Sequence, residues 1–343
     1  MKAKIIIASP LQLINAIEAK EYLNVKSIDI SFFSDGNITN ERQVKSLIQE
    51  LKIKATLSTI EIPKNPNFLE RILFLKNLKK SKLNIDSYEY IIVGHFRSIY
   101  QAAFANLYNA KYVFVDDGTR SLDDISFLNR FGYNTKAYKL KTMLYAFFSV
   151  KPYLACKEYT FFSYYAKKIE VKNHIQVLEN TFSYLRSLKR KKSSKIEKKI
   201  AFVGQSLVDS KLVTLDFYLS LLNNIDRYYK NKYPKGITVE YYAHRNESDK
   251  VLELVAKMPN WVIVKNKLPL ELHFLFSSQF PEEVGLFFSS VAETLSVILG
   301  NELKLKSFFI PTDKLLYRKS EINNLFETNR ESEDIELISN YNY

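Results

Sequence analysis

Four short polar clusters in the chain carry side chains able to move a proton or hold an anion, and each follows an apolar run. Asp116-Asp117-Gly118-Thr119-Arg120 follows Val115. A carboxylate placed there can take the proton of a hydroxyl in a transition state. Gly118 permits a sharp turn and lets a ligand approach the backbone closely. Neighbours on a strand point to opposite faces, so one Asp faces a ligand and the other anchors the loop. The same residues also suit an ordinary surface turn with Asp caps.

Ala243-His244-Arg245-Asn246-Glu247-Ser248 follows Tyr242. Arg offers a forked donor set and His can donate or titrate near neutral pH, a pair suited to phosphate. The alternative is a loop His capping a helix that starts near Asp249. Ser289-Ser290-Val291-Ala292-Glu293-Thr294 follows Phe288. Two hydroxyls beside the free N–H groups of a helix start make an anion seat. Ser290 with Glu293 three residues on also reads as a capping box. Gly204-Gln205 follows Val203 and brings a close-approach glycine and an amide. It lacks both the dinucleotide glycine fingerprint and the lysine of a P-loop. In Leu268-Pro269-Leu270-Glu271 the carboxylate sits at a helix start. Glu271 there suits two ribose hydroxyls or simply the helix dipole. His95 and Arg97 follow Gly94 and could contact a ligand or serve packing and capping. His174 and His273 show no partner pattern and read as structural.

These clusters require elements to position them. In the first half, strands over residues 4–8, 28–33, 55–60, 90–93 and 111–115 alternate with helices over 11–23, 40–51, 68–78 and 99–107. Pro10 opens the first helix and Asn40 is a candidate cap for the second. From 126 to 188 the rhythm breaks into a Tyr- and Phe-rich stretch that reads as mostly helical. The run Lys189, Arg190, Lys191, Lys192, Ser193, Ser194, Lys195 reads as an exposed linker, with membrane or polyanion contact as the alternative. The alternation then restarts, with strands at 199–203, 238–242, 261–264, 284–288 and 303–309 and helices between them. This pattern predicts α/β architecture: two Rossmann-like parallel-sheet domains, 1–190 with a helical insertion and 191–343, facing across a cleft. Ligands of such sheets bind outside the carboxyl ends of the strands, where the polar clusters lie.

The chain has 343 residues, 46% of them hydrophobic, with only 8 Gly and 9 Pro, which supports real cores and excludes fibrous classes. A net charge of +13 suits an anionic partner, although a lysine-rich codon bias would produce it too. Nucleic acid is not expected, because no zinc-finger, RNA-recognition or helix-turn-helix pattern occurs. A single cysteine, Cys156, excludes an intrachain disulfide and a cysteine metal site. The apolar runs are too short for a signal-peptide core or a membrane span, so the expectation is a cytoplasmic protein, with peripheral inner-membrane contact left open.

Taken in order, these residues resemble the bacterial sialyltransferases of glycosyltransferase family 52 and their polysialyltransferase relatives. Ser9-Pro10-Leu11-Gln12-Leu13-Ile14-Asn15-Ala16 looks like that family's opening, Asp116-Asp117-Gly118 matches its acidic-acidic-glycine motif, and Ser289-Ser290 its paired hydroxyls. Gly204-Gln205 and Pro269-Leu270-Glu271 also look familial. His244-Arg245 stands where the family has His-Pro, a departure. The resemblance implies the GT-B fold and an inverting transfer from CMP-sialic acid to a galactoside-type acceptor on a surface glycan. It implies no cofactor and no metal. Asp117 would be the general base, with Asp116, Gly118, His95 and Arg97 supporting the loop or the acceptor. His244, Arg245, Ser289 and Ser290 would hold the phosphate, Glu271 the ribose, and Gly204 and Gln205 the nucleotide pocket. Another nucleotide-sugar donor on the same fold, or a non-enzymatic polyanion binder, remain as alternatives.

Overall fold

A computed structural model describes residues 1–341 except 81–86, 131, 155, 157, 173 and 190–196. The chain divides into two compact units, Met1–Tyr184 and Leu185–Tyr343. The boundary expected at 190/191 and most of the Lys/Arg/Ser run lie outside the described residues.

The first unit contains β1 (Lys2–Ile7), α1 (Pro10–Tyr22), β2 (Ser27–Ser34), α2 (Ile38–Glu50), β3 (Ala55–Glu61), α3 (Phe68–Lys80) and β4 (Tyr90–Val93). It continues through α4 (Ile99–Ala105), β5 (Lys111–Val115), α5 (Arg120–Arg130), α6 (Lys136–Phe147), β6 (Tyr159–Ser163) and β7 (Ile175–Glu179). The sheet order is β3-β2-β1-β4-β5-β6-β7, every pair parallel. The chain walks outward from β1 to β3, returns beside β1 as β4, and walks outward on the other side. The crossovers after β1 and β4 therefore part, leaving a crevice at their carboxyl ends.

Local chemistry starts and stops these elements. Ser9 accepts the Gln12 N–H at 3.2 Å and Pro10 occupies the first helical turn, where its missing N–H costs nothing. Asn37 caps α2 by accepting the Asn40 N–H at 3.1 Å. Asn40, the expected cap, is instead a buried residue inside the helix. The 126–188 stretch is not mostly helical: after α5 and α6 it supplies β6 and β7, which extend the sheet. Phe161 and Phe162 are buried in β6, where aromatic residues pack well on a pleated surface.

The boundary falls within α7 (Ser183–Ser187); the second unit then contains β8 (Glu197–Val203), α8 (Leu215–Lys232), β9 (Thr238–Tyr242), α9 (Asp249–Val255), β10 (Trp261–Val264) and α10 (Leu270–Phe276). β11 (Pro281–Leu286), α11 (Val291–Leu299), β12 (Leu305–Phe308), α12 (Lys319–Arg330) and β13 (Ile335–Ile338) complete it. The order β10-β9-β8-β11-β12-β13 is again all parallel and reverses between β8 and β11. Phe202 lies at the centre of this core, with ring centroids 5.6 Å from Trp261 and Phe287 and 6.0 Å from Tyr241 and Phe308. The buried Trp261 indole finds a partner in Asp226, at 3.0 Å.

Candidate functional site

In the first unit the polar residues collect at the carboxyl ends of β1, β4, β5 and β6. Gln12 Oε1 accepts the Ala8 N–H at 2.7 Å and lies 3.4 Å from Gln101 Nε2. Gln101 in turn accepts the His95 N–H at 2.9 Å. A Cβ on Gly94 would run into the Gln12 side chain, so glycine is what lets β4 end there. Phe96 is buried, its ring 5.0 Å from that of Phe114, and pins the loop while His95 and Arg97 stay half-buried beside it.

The two aspartates divide by environment. Asp116 is 1% exposed and accepts the Ser163 hydroxyl and the Tyr164 N–H, each at 2.8 Å. Its carbonyl accepts Asn15 Nδ2 at 3.0 Å, and Asn15 accepts Asn180 Nδ2 at 3.0 Å. Asp116 thus ties the ends of β5 and β6 to α1. Asp117 is half-buried; its N–H donates to Ser121 Oγ at 2.9 Å, and Gly118 turns the chain at φ +66°. Burial lowers the His95 pKa to about 4, with the negative charge of Asp117 opposing and the Arg120 and Arg97 charges reinforcing the drop. Arg97 pairs through Nε with Asp124 Oδ1 at 2.5 Å and lies 5.4 Å from the Phe127 ring centroid. Burial holds Asp124 up at about 6 despite that pair.

In the second unit the expected residues lie on neighbouring loops at the carboxyl ends of β8, β9 and β11, several of them joined by hydrogen bonds. Glu271, 5% exposed at the start of α10, accepts the Thr294 hydroxyl at 2.9 Å. Burial raises its pKa. Thr294 lies in the first turns of α11, and its N–H donates to the Ser290 carbonyl at 3.1 Å. Ser289 Oγ accepts the Val291 N–H at 3.3 Å. The capping box expected of Ser290 and Glu293 does not form: Ser290 has helical backbone angles and its side chain caps nothing, leaving the turn to Ser289. Next along, Gln205 Oε1 accepts the Phe288 N–H at 3.0 Å, binding the loops after β8 and β11 together at the switch point. A Cβ on Gly204 would lie 2.6 Å from both Glu247 Oε2 and the Tyr241 hydroxyl.

Glu247 accepts the His244 N–H at 2.6 Å and the Tyr241 hydroxyl, which lies 2.7 Å from that of Tyr218. Burial raises the Glu247 pKa, the hydrogen bonds opposing. His244 Nδ1 accepts the Asn246 N–H at 3.2 Å, which leaves the proton of a neutral ring on Nε2. Burial, then the Arg245 charge, lowers the His244 pKa to about 4. Arg245 itself is exposed. Glu247 and Thr294 stand inside the sequence clusters, but sequence alone assigns no role to either; their supporting contacts come from the structure. Among the described residues, no three His, Cys, Asp or Glu side chains are grouped to hold a metal ion, and no helix is long and apolar enough to cross a membrane.

No known family profile matches the chain, and neither does any curated protein sequence. Solved structures do resemble it. A putative UDP-N-acetylglucosamine 2-epimerase from Listeria monocytogenes aligns over 99% of this chain and 84% of its own, with TM-score 0.56 and 11% identity. The UDP-GlcNAc 2-epimerase of Methanocaldococcus jannaschii, solved with UDP-GlcNAc and UDP, aligns over 99% and 89%, with TM-score 0.53 and 14% identity. A spinosyn rhamnosyltransferase complexed with thymidine diphosphate aligns over 98% and 86%, with TM-score 0.50 and 10% identity. At these identities the likeness establishes the fold: α/β, GT-B type, two Rossmann-like parallel sheets.

Proposed function

We propose that the chain is an inverting, metal-independent glycosyltransferase that uses a nucleotide sugar, with a CMP-activated nonulosonic acid such as sialic acid as donor and a glycan hydroxyl as acceptor. The observation that carries this reading is the gathering of these groups at the carboxyl ends of β8, β9 and β11: Glu271 bonded to Thr294 and Thr294 to Ser290, the Phe288 N–H held by Gln205, and Gly204 close against Glu247, which holds the His244 N–H. Together they set a neutral imidazole N–H, two serine hydroxyls and a helix start on one sheet edge, where a departing phosphate ester gains charge.

In this reading Asp117 takes the proton of the acceptor hydroxyl. The acceptor oxygen then attacks the anomeric carbon from the side opposite the nucleotide. The bond from that carbon to the phosphate oxygen breaks with its electron pair on the phosphate. His244, Ser289 and Ser290 stabilise that charge by hydrogen bonding, Arg245 adds positive charge, and Glu271 addresses the ribose. Arg245 in place of the family's proline adds a cation beside His244 where the family has none.

The choice of CMP rests on the family resemblance. The similar structures that hold UDP and thymidine diphosphate favour a second reading, a hexosyl donor on the same scaffold. Thermal unfolding of the full chain with CMP, UDP, dTDP or GDP separates them. A ligand at about one hundred times its dissociation constant stabilises the native state by about 2.7 kcal/mol. The largest rise is expected with CMP. A rise confined to UDP or dTDP replaces the donor, and no rise with any nucleotide removes the transferase reading.

A further inference from the structure

A pocket of 490 Å³ opens in the first unit between α3, α6 and the loop after β4. Its wall carries three cations, Arg71, Arg97 and Lys141, set among Phe68, Tyr138, Tyr145 and Tyr153. Among the described residues no carboxylate lines it, although Arg97 is paired with Asp124. Arg71 donates through Nη2 to the Pro66 carbonyl at 3.4 Å and also hydrogen-bonds the Tyr145 and Tyr100 hydroxyls, which fixes its charge in the wall. Three cations held in one wall with no carboxylate among its lining residues suit a bound anion.

The rim is as unusual as the wall. Of the twelve residues of α6 only Tyr145 is buried. Leu140, Met143, Leu144 and Phe147 are 61%, 70%, 51% and 85% exposed, and Leu69 and Leu73 of α3 are 62% and 61% exposed. Single exposed apolar residues are ordinary, but a cluster on two neighbouring helices marks a contact surface. The same helix carries exposed Lys136, Lys139 and Lys141 and no acidic residue. Apolar side chains flanked by lysines, around a cationic pocket, suit an anionic head group attached to a hydrocarbon chain.

We infer that this pocket binds the phosphate head group of a lipid, its chain lying along the exposed apolar faces of α3 and α6. The inference rests on the transferase reading in one respect only: it makes that lipid the carrier of the acceptor. Arg97 joins the pocket to the strand ends, since its charge acts on His95 beside Asp117.

The test is calorimetric titration of the full chain with dodecyl phosphate below its micelle threshold, with inorganic phosphate, and with dodecyl maltoside. Dodecyl phosphate is expected to bind at least about tenfold more tightly than either control. Arg71→Gln and Lys141→Gln should each weaken it by about tenfold, the loss expected for one charge-assisted hydrogen bond. Phe147→Ser with Leu144→Ser should weaken it too, without altering inorganic phosphate binding. Equal binding of inorganic phosphate reduces the pocket to an ion site, and equal binding of the maltoside reduces the rim to a greasy patch; either overturns the inference. So does unchanged affinity in both charge variants with native unfolding midpoints. A parallel CMP titration keeps the two ideas apart. Lipid-phosphate binding without nucleotide binding sinks the transferase alone, and the converse sinks this pocket alone.

Discussion

The carboxylate of Glu247 holds the main-chain N–H of His244 at 2.6 Å while also accepting the buried Tyr241 hydroxyl. One side chain thus fixes the turn that presents the imidazole and satisfies the polar atoms beneath it. Glu247→Ala would leave the His244 N–H and one hydroxyl of the bonded Tyr241–Tyr218 pair short of an acceptor. Unsatisfied buried donors cost about 1–3 kcal/mol each. Urea unfolding should show a loss of about 2–4 kcal/mol, and nucleotide affinity should fall with it. Unaltered affinity in a folded Glu247→Ala chain would mean that the His244 turn plays no part in binding.

The His244 ring makes a pH prediction. Its folded pKa of about 4 lies below the ordinary 6.5, so between those values the unfolded chain binds the extra proton. Stability from this residue is therefore full above about pH 6.5 and drains away as pH falls toward about 4. The stability difference between the native chain and His244→Gln should be flat above that window. Within it the native chain should lose ground by up to about 1.4 kcal/mol per pH unit. Paired urea titrations from pH 4 to 8 check this; parallel curves throughout would show that the ring is not held neutral by burial.

Gly204 is confined by its neighbours rather than by its backbone angle. Gly204→Ala places a methyl 2.6 Å from Glu247 Oε2 and from the Tyr241 hydroxyl, both part of the His244 support. Overpacking of this kind costs about 1–3 kcal/mol. The variant should unfold earlier and bind nucleotide more weakly. Normal affinity would place the nucleotide away from the end of β8.

Asp116 and Asp117 should fail in different ways. Asp116→Ala strips the acceptor from Ser163 and Tyr164, a loss of about 2–4 kcal/mol that lowers Tm by about 5–15 °C in a unit of this size. Asp117→Asn should leave Tm within about 2 °C and nucleotide affinity unchanged, while turnover drops by about 10²–10⁴-fold, the usual share of general-base catalysis. Near-normal turnover in Asp117→Asn would remove it as the base.

Chelation tests the metal-independent step. If the proposed reaction holds, turnover in excess EDTA should match that of the untreated protein, because in that proposal His244, Arg245 and the α11 start meet the phosphate charge. Loss of activity, restored by a divalent cation, would transfer that role to a metal.

Much of the fold was legible because it is written locally. Alternation of short apolar runs with amphipathic segments marks parallel α/β architecture, and Ser9-Pro10 marks a helix start through groups at most a few residues apart. The polar clusters after Val115, Val203, Tyr242 and Phe288 were visible for the same reason: they interrupt the pattern at strand ends. β6 was not, since a run such as Tyr159–Ser163 can pack equally in a helix or a strand until β5 and β7 pair with it. Asn37 and Asn40 are alike in sequence, and only the path of the chain made the first a cap.

The sequence by itself determined that acids, hydroxyls and an imidazole would gather at the carboxyl edges of parallel sheets, because strand direction and side-chain alternation follow from the local pattern. Only the tertiary structure decided which of Asp116 and Asp117 became the anchor, because that turns on β6 delivering Ser163 and Tyr164 to one of them. It alone joined Glu247 to Tyr218 and set Arg71 beside Arg97 and Lys141. Such contacts are made by side chains far apart in the chain, and neither partner carries a local mark of the other.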